Sequence, residues 1–555
     1  MTIRRKRIYI ASITLLLLFY GNIAGCQEYP TIPKQLSMLE EGKEHVNAMM
    51  EDSMITIPAG KHYQKNLVHD AFFGRHYRHL WAEPVTMPVL DLDNLGDSLY
   101  VKKRGGGQQT LNLRLRGKDK REYVIRTVDK DQANVLPEKF RTGLAKHFFR
   151  DQTSAMNPYA ALVVPPLAEA AGIYHVKPKL YYVPYDERFG EYAELIEGRV
   201  VTVEEFPNKH WAGDPLFGPA DKLKNTTKFL DKRFSSQDVS VDERMFARCR
   251  LFDLLIGDWD RHRNQWRWIE VKEDGKRHYK PVPRDRDVVF YRFNDGLLTY
   301  IASRWFIMPK LHTFEHYYGS IENMLLNSKY TDNLLLMSLT EDDWLEIADS
   351  LQTAMSDEAI EHAIKTWPEE IYKLEGRQTI EKLKSRRDLL QEAAIEFYRQ
   401  LNRNVVLIGT DEEERFVVER INNKQTSVTI TRKDNNEEIF HRVFDNRYTK
   451  SICLHGLGGD DHFLVKGSVN RGPFINIYGG YGYDTIIDRS KVVSWRKHVS
   501  IFDTPEGNYV ELGKRTKDRR TDDPSILDID REGWNTPPKE DDEDNEIDEP
   551  LVDKK

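Results

Sequence analysis

Cysteine is almost missing from this chain: three in 555 residues, at positions 26, 249 and 453. So few exclude a disulfide framework, and no Cys/His cluster has the spacing of a zinc site. Cys249 falls on an apolar helical pattern and Cys453 in a strand pattern, so two separate buried thiols are expected. Positive charge is short as well. Asp and Glu number 89 against 82 Lys and Arg, a formal charge of −7, which excludes a general nucleic-acid binder. The apolar run Ile8 to Tyr20 is too brief to span a bilayer comfortably.

That run sits between Arg4-Arg5-Lys6-Arg7 and Ile23-Ala24-Gly25-Cys26, so residues 1–25 read as a targeting segment and not as fold. The end of the segment resembles a bacterial lipobox. The resemblance implies cleavage before Cys26, lipidation of Cys26, and acyl chains that hold the mature protein at a membrane surface in an unspecified leaflet. Cleavage removes four positive charges and no negative ones, taking the formal charge from −7 to −11.

With 39% hydrophobic residues over this length the chain can bury more than one core. A flanking segment, 26–97, precedes a small α+β region at 98–208. There Leu111, Leu113 and Leu115 alternate with polar residues, predicting a half-buried strand, and Tyr123-Val124-Ile125-Arg126 predicts the next. Gly105-Gly106-Gly107 stands ahead of this pair, where backbone N–H groups could approach a phosphate, although a hairpin loop uses the same residues. Between 209 and 402 the periodicity is helical. Met245, Phe246, Cys249, Phe252 and Ile256 share one face, Thr340-Glu341-Asp342-Asp343 reads as a capped helix start, and Leu383, Leu390, Ala394, Phe397 and Leu401 form another stripe. Short strands fill 403–513, a separate β domain, and 514–555 reads as an acidic disordered tail containing Glu540-Asp541-Asp542-Glu543-Asp544.

The β domain contains Gly479-Gly480-Tyr481-Gly482-Tyr483-Asp484-Thr485-Ile486-Ile487, which matches the calcium-binding β-roll nonapeptide, and a looser copy at Gly456 to Phe463. β-Roll copies are tandem, whereas Asp461 and Asp484 stand 23 residues apart. The expectation is therefore a pair of tight glycine turns in a β-solenoid or sandwich, with no calcium at Asp484.

The stretch most suited to chemistry is Gly257-Asp258-Trp259-Asp260-Arg261-His262-Arg263-Asn264-Gln265-Trp266, followed one hairpin later by Pro283-Arg284-Asp285-Arg286-Asp287. Apolar segments flank both clusters, so these acids lie at the ends of buried structure. Two such clusters suit phosphoryl transfer: one acid orients the attacking hydroxyl, and an amide and a second acid hold a metal on the phosphates. A metallophosphoesterase is excluded, because no Gly-Asn-His and no Asp-x-His precedes the motif.

The two clusters resemble the atypical protein-kinase-like folds: phosphoinositide kinases, HipA-type kinases, secretory-pathway kinases and the CotH group. The resemblance implies an α+β fold with a two-lobed kinase-like domain, here followed by a smaller all-β domain. It implies Asp260 as the catalytic aspartate, Mg²⁺ or Mn²⁺ with an ATP-like nucleotide, and an unknown acceptor. Gln265 stands where those families carry Asn, with Asn264 one position early. Asp285 and Asp287 compete for the second metal-binding role. Arg126 stands where a phosphate-binding Lys is usual, with Lys130 four residues on, and Glu169 is offered as the acid that holds this cation. Val200 to Pro207 would bind an adenine edge. The span from Gly105 to about Asp488 also resembles a unit of envelope proteins in didermic bacteria, which implies an envelope protein partner. A non-catalytic binding or assembly module of kinase shape is the alternative.

Overall fold

The computed structural model describes residues 53–105, 111–130, 143–304, 310–529 and 531. Cys26, Gly106, Gly107 and the acidic run 540–544 lie outside them. The fold is α+β, as expected from the switch between period-2 and helical patterning.

The first pair of strands, β1 (Met54–Pro58) and β2 (Pro84–Pro88), is antiparallel. The helices between them bring Tyr63, Leu80 and Trp81 into the main core, so the flanking segment is built into the fold. Five antiparallel strands follow: β3 (Tyr100–Gly105), β4 (Asn112–Arg116), β5 (Glu122–Thr127), β6 (Lys179–Tyr182) and β7 (Val200–Phe206), in the order β3-β4-β5-β7-β6. Period-2 alternation gives this sheet two unlike faces. Leu113, Leu115, Ile125, Val201 and Val203 pack with Leu90, Leu92 and Phe189 on one side. On the other, Arg114 and Arg116 of β4, Glu122 and Arg126 of β5, and Glu204 and Phe206 of β7 form the opposite set by register.

A second sheet carries the motif. Its strands are β8 (Lys222–Asn225), β9 (Val239–Val241), β10 (Trp266–Glu273) and β11 (Lys276–Pro283), in the order β8-β10-β11-β9. The helix Glu243–Ile256 packs against it with Phe246, Cys249, Phe252 and Ile256 buried, as the stripe predicts. Gly257 ends this helix in the left-handed conformation (φ 76°), which a glycine adopts at little cost. Thr340 and Asp343 form the expected capping box. The last apolar stripe is divided between two helices, Arg377–Asp388 and Leu390–Arg403.

The C-terminal strands wind as a parallel solenoid. One sheet stacks β12 (Asn404–Ile408), β16 (Ser451–Gly458), β19 (Phe474–Tyr481), β22 (Val499–Phe502) and β24 (Thr516–Asp518), all parallel. The other stacks β13 (Glu414–Asn422), β17 (His462–Lys466), β20 (Thr485–Asp488) and β23 (Tyr509–Glu511), also parallel. The hairpin β14 (Gln425–Arg432) and β15 (Glu438–Asp445) extends that sheet at β13. The short pair β18 (Ser468–Val469) and β21 (Lys491–Val492) completes two coils. Part of the expected tail is ordered: β24 closes the stack, and Arg531 forms an ion pair with Asp411. One continuous core runs from Ile55 through the helices to Ile501. Cys249 is buried and Cys453 half-buried, and both are free thiols.

Candidate functional site

The hairpin register brings the two acidic clusters together. Trp266 at the start of β10 pairs with Pro283 at the end of β11, so residues just before the first and just after the second are neighbours. The Arg284 amide donates to the Gln265 carbonyl at 2.8 Å. Arg261 locks this junction. Its guanidinium, fully buried, donates to the Arg284 carbonyl at 2.5 Å and to Asp253 at 3.1 Å, and also pairs with Asp258. Asp253 accepts from Arg250 and Arg286 as well, at 2.7 and 2.8 Å. The arginine of Asp260-Arg261-His262 is thus a buried scaffold joining both loops.

Asp260 is half-buried, and its Oδ1 accepts from Asn327 Nδ2 at 2.7 Å. Its neighbour Asp258 is buried, and burial pushes that carboxyl up to about 6 against the pull of Arg261. Of the two, Asp260 is the one with access to solvent. His262 caps the turn that follows: its Nδ1 accepts from the Asn264 amide at 3.3 Å, and its carbonyl accepts from the Gln265 amide at 3.0 Å. Asn264 is half-buried. Gln265 is 4% exposed, and its Oε1 has no hydrogen-bond partner in the protein. A buried amide oxygen left unpaired is costly, and such groups mark positions built to meet something else.

Asp285 has φ 59°, and Phe290 just beyond has φ 58°. Left-handed backbone at a non-glycine residue costs free energy that a site has to repay. Asp285 sits 3.7 Å from Arg126 Nε, and Asp287 pairs with Lys130. Arg126 lies on β5 and Lys130 three residues beyond its end, while both acids come from beyond β11, so the cleft between the sheets is bridged by charge. Burial alone would raise the Asp285 carboxyl, but Arg126, Lys130, Arg284 and His262 outweigh it and hold it below the usual range. For Asp287 burial wins and the carboxyl is raised, with Lys130 opposing and Asp285 adding to the shift. The cleft has a cavity volume of about 30 Å³, and its lining includes Arg126, Pro165, Thr202, Glu204, Asp285 and Asp287.

Several sequence-based expectations need correction. Glu169 is exposed on the helix Val164–Ala170 and does not hold Arg126. Glu204 does, from the adjacent strand and buried, although Glu204 belongs to the segment expected along an adenine edge. Gly105 ends β3 opposite Asn112, at the connection where the glycine triplet was expected. Among the described residues no group of three or more His, Cys, Asp or Glu is placed to hold a metal ion. Asp285, Asp287 and the Gln265 amide oxygen are donors of the oxygen type that a magnesium-type ion takes.

The spacing argument at Asp484 also fails. One solenoid coil there is 23 residues long, so His462 pairs with Thr485 and the two glycine motifs are stacked neighbours. The Asp461 amide donates to Asp484 Oδ1 at 2.9 Å, and the Asp484 amide donates to Asn508 Oδ1 at 2.7 Å. Asp484 therefore ties one coil to the next.

No family model matches the chain, and no curated protein matches it.

Proposed function

We propose that residues 98–402 form a two-lobed, atypical kinase-like module that binds a phosphorylated ligand with a divalent metal and transfers a phosphoryl group. The observation that carries this reading is the charge bridge across the cleft, with Arg126 of β5 and Lys130 just beyond it meeting Asp285 and Asp287 just beyond β11. Cations that neutralise phosphate oxygens and carboxylates that hold a metal have to face each other in such a site. Asp285, Asp287 and the Gln265 amide oxygen would hold Mg²⁺ or Mn²⁺, which when bound supplies positive charge against the phosphates. Asp285 is the better ligand of the two acids, because its neighbours keep it ionised. Asp260, steadied by Asn327, orients the acceptor hydroxyl and accepts its proton.

In this reading the mature protein begins at Cys26 and is held by acyl chains to a membrane of a bacterial cell envelope. No helix among the described residues is long and apolar enough to cross a membrane. The Gln in the amide position favours a second reading, a non-catalytic envelope module that keeps the kinase shape and binds without transferring. Asp260→Asn separates the two. In an active enzyme it lowers turnover by about 10²–10⁴-fold with ligand affinity kept. If the wild type binds metal and nucleotide yet transfers nothing to any acceptor or to water, the second reading stands.

A further inference from the structure

One connection of the solenoid carries side chains that the stacking of its coils does not use. Val469 of β18 stands opposite Val492 of β21, and Ile475 of β19 stands opposite Val499 of β22, so the connection from Val492 to Val499 is one residue longer than its counterpart in the coil before. Along it Val493 and Trp495 are 75% and 82% exposed. A single exposed apolar residue calls for no explanation. Two on one short connection, the larger a tryptophan and both flanked by cations, make a surface with its own chemistry.

Residues 489–498 hold Arg489, Lys491, Arg496 and Lys497 and no acid, in a chain whose formal charge is −7. The next coil adds two cations at the same corner. Lys497 Nζ donates to the Lys514 carbonyl at 3.1 Å, and the His498 amide donates to the Arg515 carbonyl at 2.9 Å. Arg489 pairs with Glu511 at 3.1 Å. Lys491, Arg496, Lys497 and Lys514 are exposed and form no ion pair with a described residue. The Arg496 guanidinium lies 4.9 Å from the centroid of the Trp495 ring, so charge and indole leave the surface together. Phe474, also exposed, borders the corner with its ring stacked on His498 at 4.7 Å. Side chains exposed to this degree stand out from the surface and do not line a groove.

We propose that this corner docks on an anionic lipid surface, with Trp495 and Val493 entering the headgroup region and the surrounding lysines and arginines meeting lipid phosphates. Tryptophan settles at a membrane–water interface, and basic residues beside an anionic leaflet each add attraction that fades within a Debye length. A peptide partner is matched by a groove or an unpaired strand edge, whereas an apolar tip with a cationic rim matches a surface that yields around it. The acidic remainder of the protein is repelled by the same headgroups, so charge selects this corner for the contact. The inference is independent of the phosphoryl-transfer reading and of acylation at Cys26. In an anchored protein the corner would set how the molecule lies on its membrane.

The mature full chain with Cys26→Ser, which carries no acyl group, would be sedimented with vesicles of equal parts phosphatidylglycerol and phosphatidylcholine, and with phosphatidylcholine alone. It should bind the mixed vesicles, release them as salt rises, and bind phosphatidylcholine about tenfold or more weakly. Adding Trp495→Ala should weaken binding about tenfold, and Lys491→Glu, Arg496→Glu and Lys497→Glu together about a hundredfold, with the melting temperature unchanged. Bromine-labelled acyl chains should quench tryptophan fluorescence, and Trp495→Phe should remove that quenching. No binding to the mixed vesicles, equal binding to both kinds, or quenching kept in Trp495→Phe would overturn the proposal. So would affinities unchanged in the folded variants, or self-association that Trp495→Ala abolishes while vesicle binding stays. If a variant does not fold, the comparison of the two vesicle types decides alone.

Discussion

Asp253 touches no candidate ligand, yet three guanidinium groups close on it from Arg250, Arg261 and Arg286. Those partners hold its carboxyl below the usual range although burial alone would raise it. Removing the acid would strand buried cations, so Asp253→Ala should cost about 3–5 kcal/mol of stability in urea unfolding. A cost under about 1 kcal/mol would show that the arginine hub is not what fastens the two loops. Asp260, by contrast, lies at the rim, and its removal should barely move the unfolding midpoint. The sequence makes part of this contrast visible. Acids embedded between Leu251–Ile256 and Val288–Phe290 have to be paired, and the order of the two clusters indicates that they meet. What it hides is the partner. Glu169 and Glu204 both lie far from Arg126 in sequence, and the β5–β7 register that selects Glu204 is a long-range pairing with no local signal.

At the scale of elements, the solenoid stacks carboxyls along one edge. The Glu414 amide donates to Asp461 Oδ1 at 2.7 Å, and the bonds to Asp484 and Asn508 continue the column. The remaining oxygens Asp461 Oδ2, Asp484 Oδ2 and Asp503 Oδ2 are buried without hydrogen-bond partners. A Cβ at Gly479 would lie 2.1 Å from Asp503 Oδ2 and 2.3 Å from Asp484 Oδ2, so the carboxyls occupy the space that glycine leaves. Gly479→Ala should therefore destabilise by about 1–3 kcal/mol. Burial pushes Asp461 up to about 10, Asp484 to about 7 and Asp503 to about 6. Glu414 and Asp484 reinforce the shift at Asp461, Asp503 and Asp460 reinforce that at Asp484, and Lys433 and Arg520 oppose from the rim.

Raised values mean that the folded state keeps protons the unfolded chain releases near pH 4. The ladder's contribution is full below about pH 4 and is lost as pH rises through about 6 to 10. Melting temperature followed from pH 5 to 9 should fall, and Asp461→Asn, which mimics the neutral carboxyl, should flatten that fall. An unchanged slope in Asp461→Asn would rule out the buried acid as its source. The glycine motif and its repeat were legible from composition. That 23 residues make one coil was not, because coil circumference depends on where strands bend, which no residue pattern of this length specifies.

For the whole molecule, the continuous core from Ile55 to Ile501 joins regions that composition alone divides. Patterning places a change from strands to helices near 209 and back near 403, whereas the four strands β8 to β11 stand between Lys222 and Pro283 and β12 begins at Asn404. It cannot report which apolar faces meet across them. The same limit applies to the flanking segment, whose Trp81 is buried by partners far away in sequence. Anchoring is a property at this scale too, and Cys26 lies outside the described residues. Cys26→Ser should abolish acyl labelling and move the protein out of the membrane fraction. Labelling and fractionation like the wild type would defeat the lipoprotein reading.

The central claim is that Asp285 and Asp287 face Arg126 and Lys130 in order to hold a metal on phosphates. Calorimetric titration of the mature protein with Mn²⁺ at saturating ATP, beside Asp285→Ala and Asp287→Ala, addresses it most directly. The account predicts one metal-dependent binding event in the wild type, weakened about tenfold or more in Asp285→Ala and less in Asp287→Ala. No metal-dependent binding in the wild type, or equal binding in all three proteins, would contradict it.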